Sequence, residues 1–166
     1  MNAKRAALAC AFLASLTAAP ARADETAAQL VLSAHNSERA RHALAPLHWN
    51  DGLAEEAHRR AARLARAGYL EHSAESELGE NLWMGTAGAY SLHEMMGDFL
   101  SERAQFRPGR FPHVARGGDW SSVGHYTQLI WPGTREVGCA IARARGNDVL
   151  VCLYSPAGNI IGARVP

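Results

Sequence analysis

Little in this sequence would anchor or cross-link it. Cysteine occurs only three times in 166 residues and lysine once. Beyond the first two dozen positions, no stretch approaches the roughly 18 consecutive apolar residues that a membrane helix needs. Charged residues are 20% of the chain, and glycine and proline number 15 and 7, a composition that excludes disordered and fibrous classes. The common catalytic signatures are missing too. There is no G-x-S-x-G nucleophile elbow, no phosphate-cradling glycine loop and no G-x-G-x-x-G. His93-Glu94 begins like the zinc-protease H-E-x-x-H, but Gly97 stands where the second histidine would have to be. With 17 basic and 16 acidic residues, no excess of positive charge favours nucleic acid as a partner.

The start of the chain reads as a secretory signal. Lys4 and Arg5 precede an apolar stretch from Ala6 to Ala19, and Ala21-Arg22-Ala23 matches an A-x-A cleavage site. The expected division is therefore 1–23 as signal peptide and 24–166 as a single domain, long enough for a real core and too short for two. The mature chain would keep 14 basic residues, all arginine, against 16 acidic ones. Cys10 leaves with the signal, so Cys139 and Cys152 form an even pair in an exported protein. A disulfide across two antiparallel strands, joined by a turn around Gly146-Asn147-Asp148, is expected.

Helical periodicity dominates the first half of the chain and strand-like runs the second, an α+β order. One helix is expected from Thr26 to His42. A second should run from Asp51 to Ala67, with Asn50 as cap and Gly68 as stop, and Leu53, Ala54, Ala57, Ala61, Leu64 and Ala65 form its apolar stripe. Ser91 and Glu94 have capping-box spacing for a third, reaching about Ala104. Proline and glycine then break the chain from Gln105 to Ser122. In that loop Arg107, Arg110 and Arg116 alternate with Phe106, Phe111 and Trp120, which reads as a solvated loop with aromatic anchors or, alternatively, a site for anions or single-stranded nucleic acid. Strands are expected at His125–Trp131, Glu136–Ala144 and Asp148–Tyr154. A strand there would put His125 and Thr127 on one face and Tyr126 and Gln128 on the other.

Four short phrases remain: LHW at Leu47–Trp49, GENLW at Gly79–Trp83, GHYTQLIW at Gly124–Trp131 and CLYSPAGN at Cys152–Asn159. With His35-Asn36-Ser37-Glu38-Arg39, they resemble the signatures of the CAP superfamily (cysteine-rich secretory, antigen 5 and pathogenesis-related proteins; the SCP domain). The chain looks like a compact bacterial-type member, with one cysteine pair and no appended cysteine-rich module. The resemblance implies a three-layer α-β-α sandwich with a small central antiparallel sheet. It also implies a cavity lined by His72, Glu80, Glu102 and His125. Phe99 and Phe106 stand where the family usually has Trp and Tyr around the second glutamate, so aromatic packing survives without the hydrogen bond of the usual indole or hydroxyl.

The chemistry of that tetrad has two readings. Two neutral imidazoles, His72 and His125, bind a divalent ion such as Zn²⁺ weakly and leave coordination positions open, with Glu80 and Glu102 orienting the rings from outside. Alternatively the four form a self-satisfied polar cluster without metal. The resemblance implies an extracytoplasmic module, secreted or periplasmic, that binds a small apolar, sterol-like or lipid ligand. A metal-dependent hydrolase using the histidine pair and a purely structural envelope protein are the alternatives. The three tryptophans of the phrases, Trp49, Trp83 and Trp131, are expected to fill core.

Overall fold

The computed structural model describes residues 26–74 and 77–166. The expected signal segment, residues 1–23, lies outside the described residues. Helix α1 spans Ala27–Arg41, where Thr26 and Gln29 close a capping box, and α2 spans Asp51–Ala67. The side chain of Asn50 accepts the Leu53 amide at the start of α2, and Gly68 ends it in the left-handed region (φ 83°). Helix α3 covers Leu92–Ser101, with Ser91 and Glu94 as a second capping box, and runs into a 3₁₀ turn at Glu102–Ala104.

The main sheet has four strands in the order β1 (His48–Trp49), β4 (Glu136–Ala144), β5 (Asn147–Ser155), β2 (Gly79–Thr86). Only the two-residue β1 is parallel to its neighbour; the other pairings are antiparallel. Because side chains alternate along a strand, central β5 serves both faces. Val149, Val151 and Leu153 meet Ala57, Ala61, Leu64 and Ala65 of α2. Leu150, Cys152 and Tyr154 meet Val31, Met95, Phe99 and Leu129 on the other side. The three-layer sandwich follows, with α2 below the sheet and α1, α3 and α4 (Gly124–Leu129) above it. A separate ribbon pairs β3 (Gly109–Arg110) with β6 (Arg164–Val165).

Cys139 and Cys152 lie directly opposite each other on β4 and β5 and are bonded. The hairpin turn sits slightly earlier than expected, at Arg145-Gly146, where both residues have positive φ and Asn147 already belongs to the strand. Two larger departures occur. No element was expected at Gly79–Thr86, yet it is the full-length edge strand β2. And His125–Trp131 is not a strand: Gly124–Leu129 is helical, and every residue from Tyr126 to Trp131 is buried, so burial on all sides hid its period from the sequence. The supposed alternation of Tyr126 and Gln128 against His125 and Thr127 therefore fails. Of the three tryptophans only Trp131 is fully buried; Trp49 and Trp83 lie at the margin, their indole N–H groups donating to Asp51 and Asp98.

The phrase His35–Arg39 works as a clamp. Its inward residues are polar, and each is satisfied. The Nδ1 of His35 donates to the Val31 carbonyl (2.7 Å), leaving Nε2 to accept from the Tyr154 hydroxyl (2.9 Å). Asn36 pairs through both side-chain atoms with the backbone of Leu47. Arg39, with no exposed surface, donates to the carbonyls of Ala45, Leu129, Trp131 and Thr134. That fan of bonds ties α1 to the end of α4 and the loop beyond it.

Candidate functional site

A cavity of about 600 Å³ opens where the start of β2, helix α4 and the loop after β5 meet. His72, Glu80, His125, Gln128 and Asn159 contribute polar groups to its wall, and Leu78, Phe111, Pro112, Trp120 and Ile161 apolar ones. Strand β2 reaches both halves of the site because its successive side chains point oppositely. Glu80 turns to the α2 side, whereas Asn81 turns to α4 and donates to the His125 carbonyl (3.0 Å) and the Tyr154 hydroxyl (3.1 Å). An unbroken chain of bonds thus runs from the His125 backbone through Asn81 and Tyr154 to His35.

Each of the two histidines is bonded to one glutamate. His72 Nδ1 lies 2.9 Å from Glu80 Oε1, which also accepts the Ser73 amide, and Arg60 Nε donates to Glu80 Oε2 at 2.9 Å. Burial pushes the Glu80 carboxyl up, but the hydrogen bonds from His72 and Arg60, the Arg60 charge and the Ser73 amide outweigh it. The net pKa lies below the usual value, and Glu80 is ionised. On the other side His125 Nδ1 lies 2.6 Å from Glu102 Oε1, while Glu102 Oε2 accepts the Tyr126 amide. The ring of Phe99 stacks on His125 at 4.7 Å between centroids, so phenylalanine at this position packs on the imidazole.

The shared geometry has a chemical consequence. In each pair a glutamate oxygen accepts a hydrogen bond from Nδ1–H, and in the neutral ring that tautomer carries its lone pair on Nε2. Neither Nε2 has a hydrogen-bond partner among the described residues, and both rings line the same cavity. His72 is 65% exposed on its loop and His125 33%, whereas the glutamates behind them are largely buried. Among the described residues no three His, Cys, Asp or Glu side chains converge as a metal-holding group. Two imidazoles could hold an ion only in an open site, since a closed structural site takes four protein ligands.

Sequence reasoning missed Arg60. It lies three residues after Ala57 and four before Leu64, inside the buried stripe of α2, and that spacing was the available signal. Its guanidinium also donates to the Glu71 carbonyl, holding the His72 loop against α2. Gln128 is the other positioning group: its Oε1 accepts the Gly158 amide and its Nε2 donates to Thr134. Added side chains at Gly79 or Gly158 would collide with that amide, which explains why GENLW and CLYSPAGN carry glycine there.

A profile of the cysteine-rich secretory protein family, CAP, matches residues 32–154. The chain is 34% identical over 132 residues to pathogenesis-related protein 1B of Nicotiana tabacum, covering 79% of this chain and 76% of that one. It is 35% identical over 144 residues to Secreted protein RBT4 of Candida albicans, covering 84% of this chain but only 37% of that longer protein. Among solved structures, NaASP2 with Zn²⁺ superposes with a TM-score of 0.69 at 25% identity, over 86% of this chain and 85% of that one. The hookworm platelet inhibitor shares the fold, with a TM-score of 0.66 at 19% identity over 90% and 80% of the two chains. With profile, relatives and architecture in agreement, the chain belongs to the CAP (cysteine-rich secretory protein) family.

Proposed function

We propose that this CAP domain is an extracytoplasmic binding module whose cavity takes a divalent cation, Zn²⁺ or a similar ion, on His72 and His125, with a small apolar or lipid ligand against the adjoining wall. One observation carries the reading: two imidazoles on separate elements line one cavity, each with Nδ1 bound to a carboxylate and Nε2 left without a partner. The wall of Phe111, Pro112, Trp120 and Ile161 supplies the apolar contact. A relative named as a secreted protein, a structural neighbour solved with Zn²⁺ and the Cys139–Cys152 disulfide support export and ion binding. No helix among the described residues is long and apolar enough to cross a membrane.

A bound cation would act as a Lewis acid toward a carbonyl or anionic group of the ligand. The chain's own contribution is to orient both rings, holding each Nδ1 against a carboxylate and leaving Nε2 for the ion. Calorimetric titration of Zn²⁺ into chelator-treated protein tests this. Wild type should bind saturably and modestly, and less as the pH falls, because the ligating imidazoles must be deprotonated. His72→Ala or His125→Ala should abolish binding, and Glu80→Gln or Glu102→Gln should weaken it about 10- to 100-fold. Absence of saturable binding, or wild-type affinity in His72→Ala, would leave the tetrad as a structural polar cluster.

A further inference from the structure

The loop arginines that alternate with aromatics in the sequence are separated from them in the fold. Phe106 and Phe111 are 6% and 4% exposed and face the core; of the three aromatics only Trp120 is exposed, and its ring packs edge-on against Phe111, so no succession of aromatic faces is offered to bases. The arginines stay outside. Arg110 and Arg164 are direct partners in the β3–β6 ribbon, so both project from one face, and like charges placed opposite each other weaken a ladder. Neither makes an ion pair among the described residues, nor do Arg107 and Arg116 on the adjoining stretch.

Beside this uncompensated charge lies a bare apolar tip. Ile160 is 55% and Ile161 82% exposed, in the loop that leads into β6. The Arg110 guanidinium donates to the Gly162 carbonyl at 2.8 Å, and the Gly162 amide donates to the Phe111 carbonyl at 2.7 Å. Charge and apolar tip are therefore fastened into one unit. Two adjacent exposed isoleucines framed by arginines that lack carboxylate partners match the chemistry of a lipid–water interface: phosphate for the guanidinium groups, acyl chain for the side-chain tips. A soluble polyanion would have no use for the isoleucines.

We propose that the β3–β6 edge and the Ile160–Ile161 loop form a docking surface for an anionic lipid bilayer. The surface borders the cavity and shares Ile161 with its wall, but Arg110, Ile160 and Arg164 lie outside that wall and do not depend on ion binding at His72 and His125. Sedimentation of the purified protein with vesicles of phosphatidylcholine alone, or mixed with phosphatidylglycerol, tests it. Binding is expected with mixed vesicles only and should weaken with salt. Arg110→Gln and Arg164→Gln should each lower partitioning about fivefold, and the double variant about 25-fold. Arg164→Lys should retain it. Ile160→Ser, at a position outside the cavity wall, should lower it about tenfold. The Arg164→Gln variant should still titrate Zn²⁺ as wild type does, so loss of vesicle binding and loss of the ion site are read separately. Equal partitioning to neutral vesicles, no partitioning to anionic ones, or an Ile160→Ser variant that binds as wild type would each overturn the proposal. The last outcome, with a sulfated polysaccharide competing for the same arginines, would reassign the patch to a soluble polyanion.

Discussion

Replacing Arg39 with methionine should be among the most damaging single changes to this fold. The side chain is fully buried, and no carboxylate among the described residues pairs with it. It donates instead to four carbonyls, at 2.8 Å (Ala45), 3.1 Å (Leu129), 2.9 Å (Trp131) and 3.3 Å (Thr134). Burial, followed by the charge of Arg135, draws its pKa down to about 10, so it remains cationic at neutral pH. A hydrogen bond from a charged donor contributes about 1.5–3 kcal/mol, and desolvation of the guanidinium takes several kcal/mol back. What decides the outcome is the orphaning of the acceptors, because methionine restores volume but no donor. A buried acceptor left unsatisfied costs about 1–3 kcal/mol, so four orphaned carbonyls, less the desolvation recovered with the guanidinium, give a net loss of about 3–5 kcal/mol. For a domain of this size that lowers the melting temperature by roughly 10–15 °C. Urea unfolding followed by tryptophan fluorescence measures it, and the midpoint should fall with little change in slope. Arg39→Lys should recover less than half, since one ammonium cannot reach four carbonyls on separate segments. If Arg39→Met unfolds within about 1 kcal/mol of wild type, the guanidinium is not the clamp between α1 and the segment after α4.

Acid should destabilise the fold through His35. Burial lowers its pKa from 6.5 to about 4 against an opposing bond to the Val31 carbonyl, so the unfolded chain binds the proton first. Stability should therefore drop by about 3 kcal/mol as the pH falls from 6.5 to 4. A His35→Gln variant with the same drop in unfolding titrations would refute that assignment. Removing the Cys139–Cys152 bond, with its sequence separation of 13, should cost about 3 kcal/mol by loop-closure entropy, measured on the Cys139→Ala/Cys152→Ala double variant. Thiols that alkylate in the native wild-type protein would contradict the bridge.

Local chemistry made parts of the fold legible in advance. The bounds of α2 could be read because an Asn cap and a C-terminal glycine act within a few residues of themselves, and its inward face because alanine and leucine recur at helical spacing. Helix α1 could be bounded in the same way, but its buried side is Val31, His35, Glu38 and Arg39, so hydrophobic periodicity could not say which way it faces. Edge strand β2 escaped notice because Glu80 and Asn81 interrupt its apolar pattern, and both residues are there for the cavity. The tetrad residues came from motif resemblance and from nothing periodic.

Sequence alone determined the ends of α1 and α2 and the cysteine pairing, which rest on short-range signals, while of the four residues named by resemblance the cavity wall includes His72, Glu80 and His125, with Glu102 set behind His125. Tertiary structure decided what the residues around them do. Gly124–Leu129 has aromatic and β-branched residues enough for a strand, yet it is a helix whose Tyr126 amide is taken by Glu102 and whose Thr127 and Gln128 side chains bond to Asn159 and Thr134. Arg60 becomes a partner of Glu80 only when β2 is laid beside β5 and over α2. The loop arginines become a surface only when β6 returns from the far end of the chain to pair with β3. In each case the deciding partner is distant in sequence, and its hydrogen bond or buried contact outweighs a local preference of a few tenths of a kcal/mol per residue.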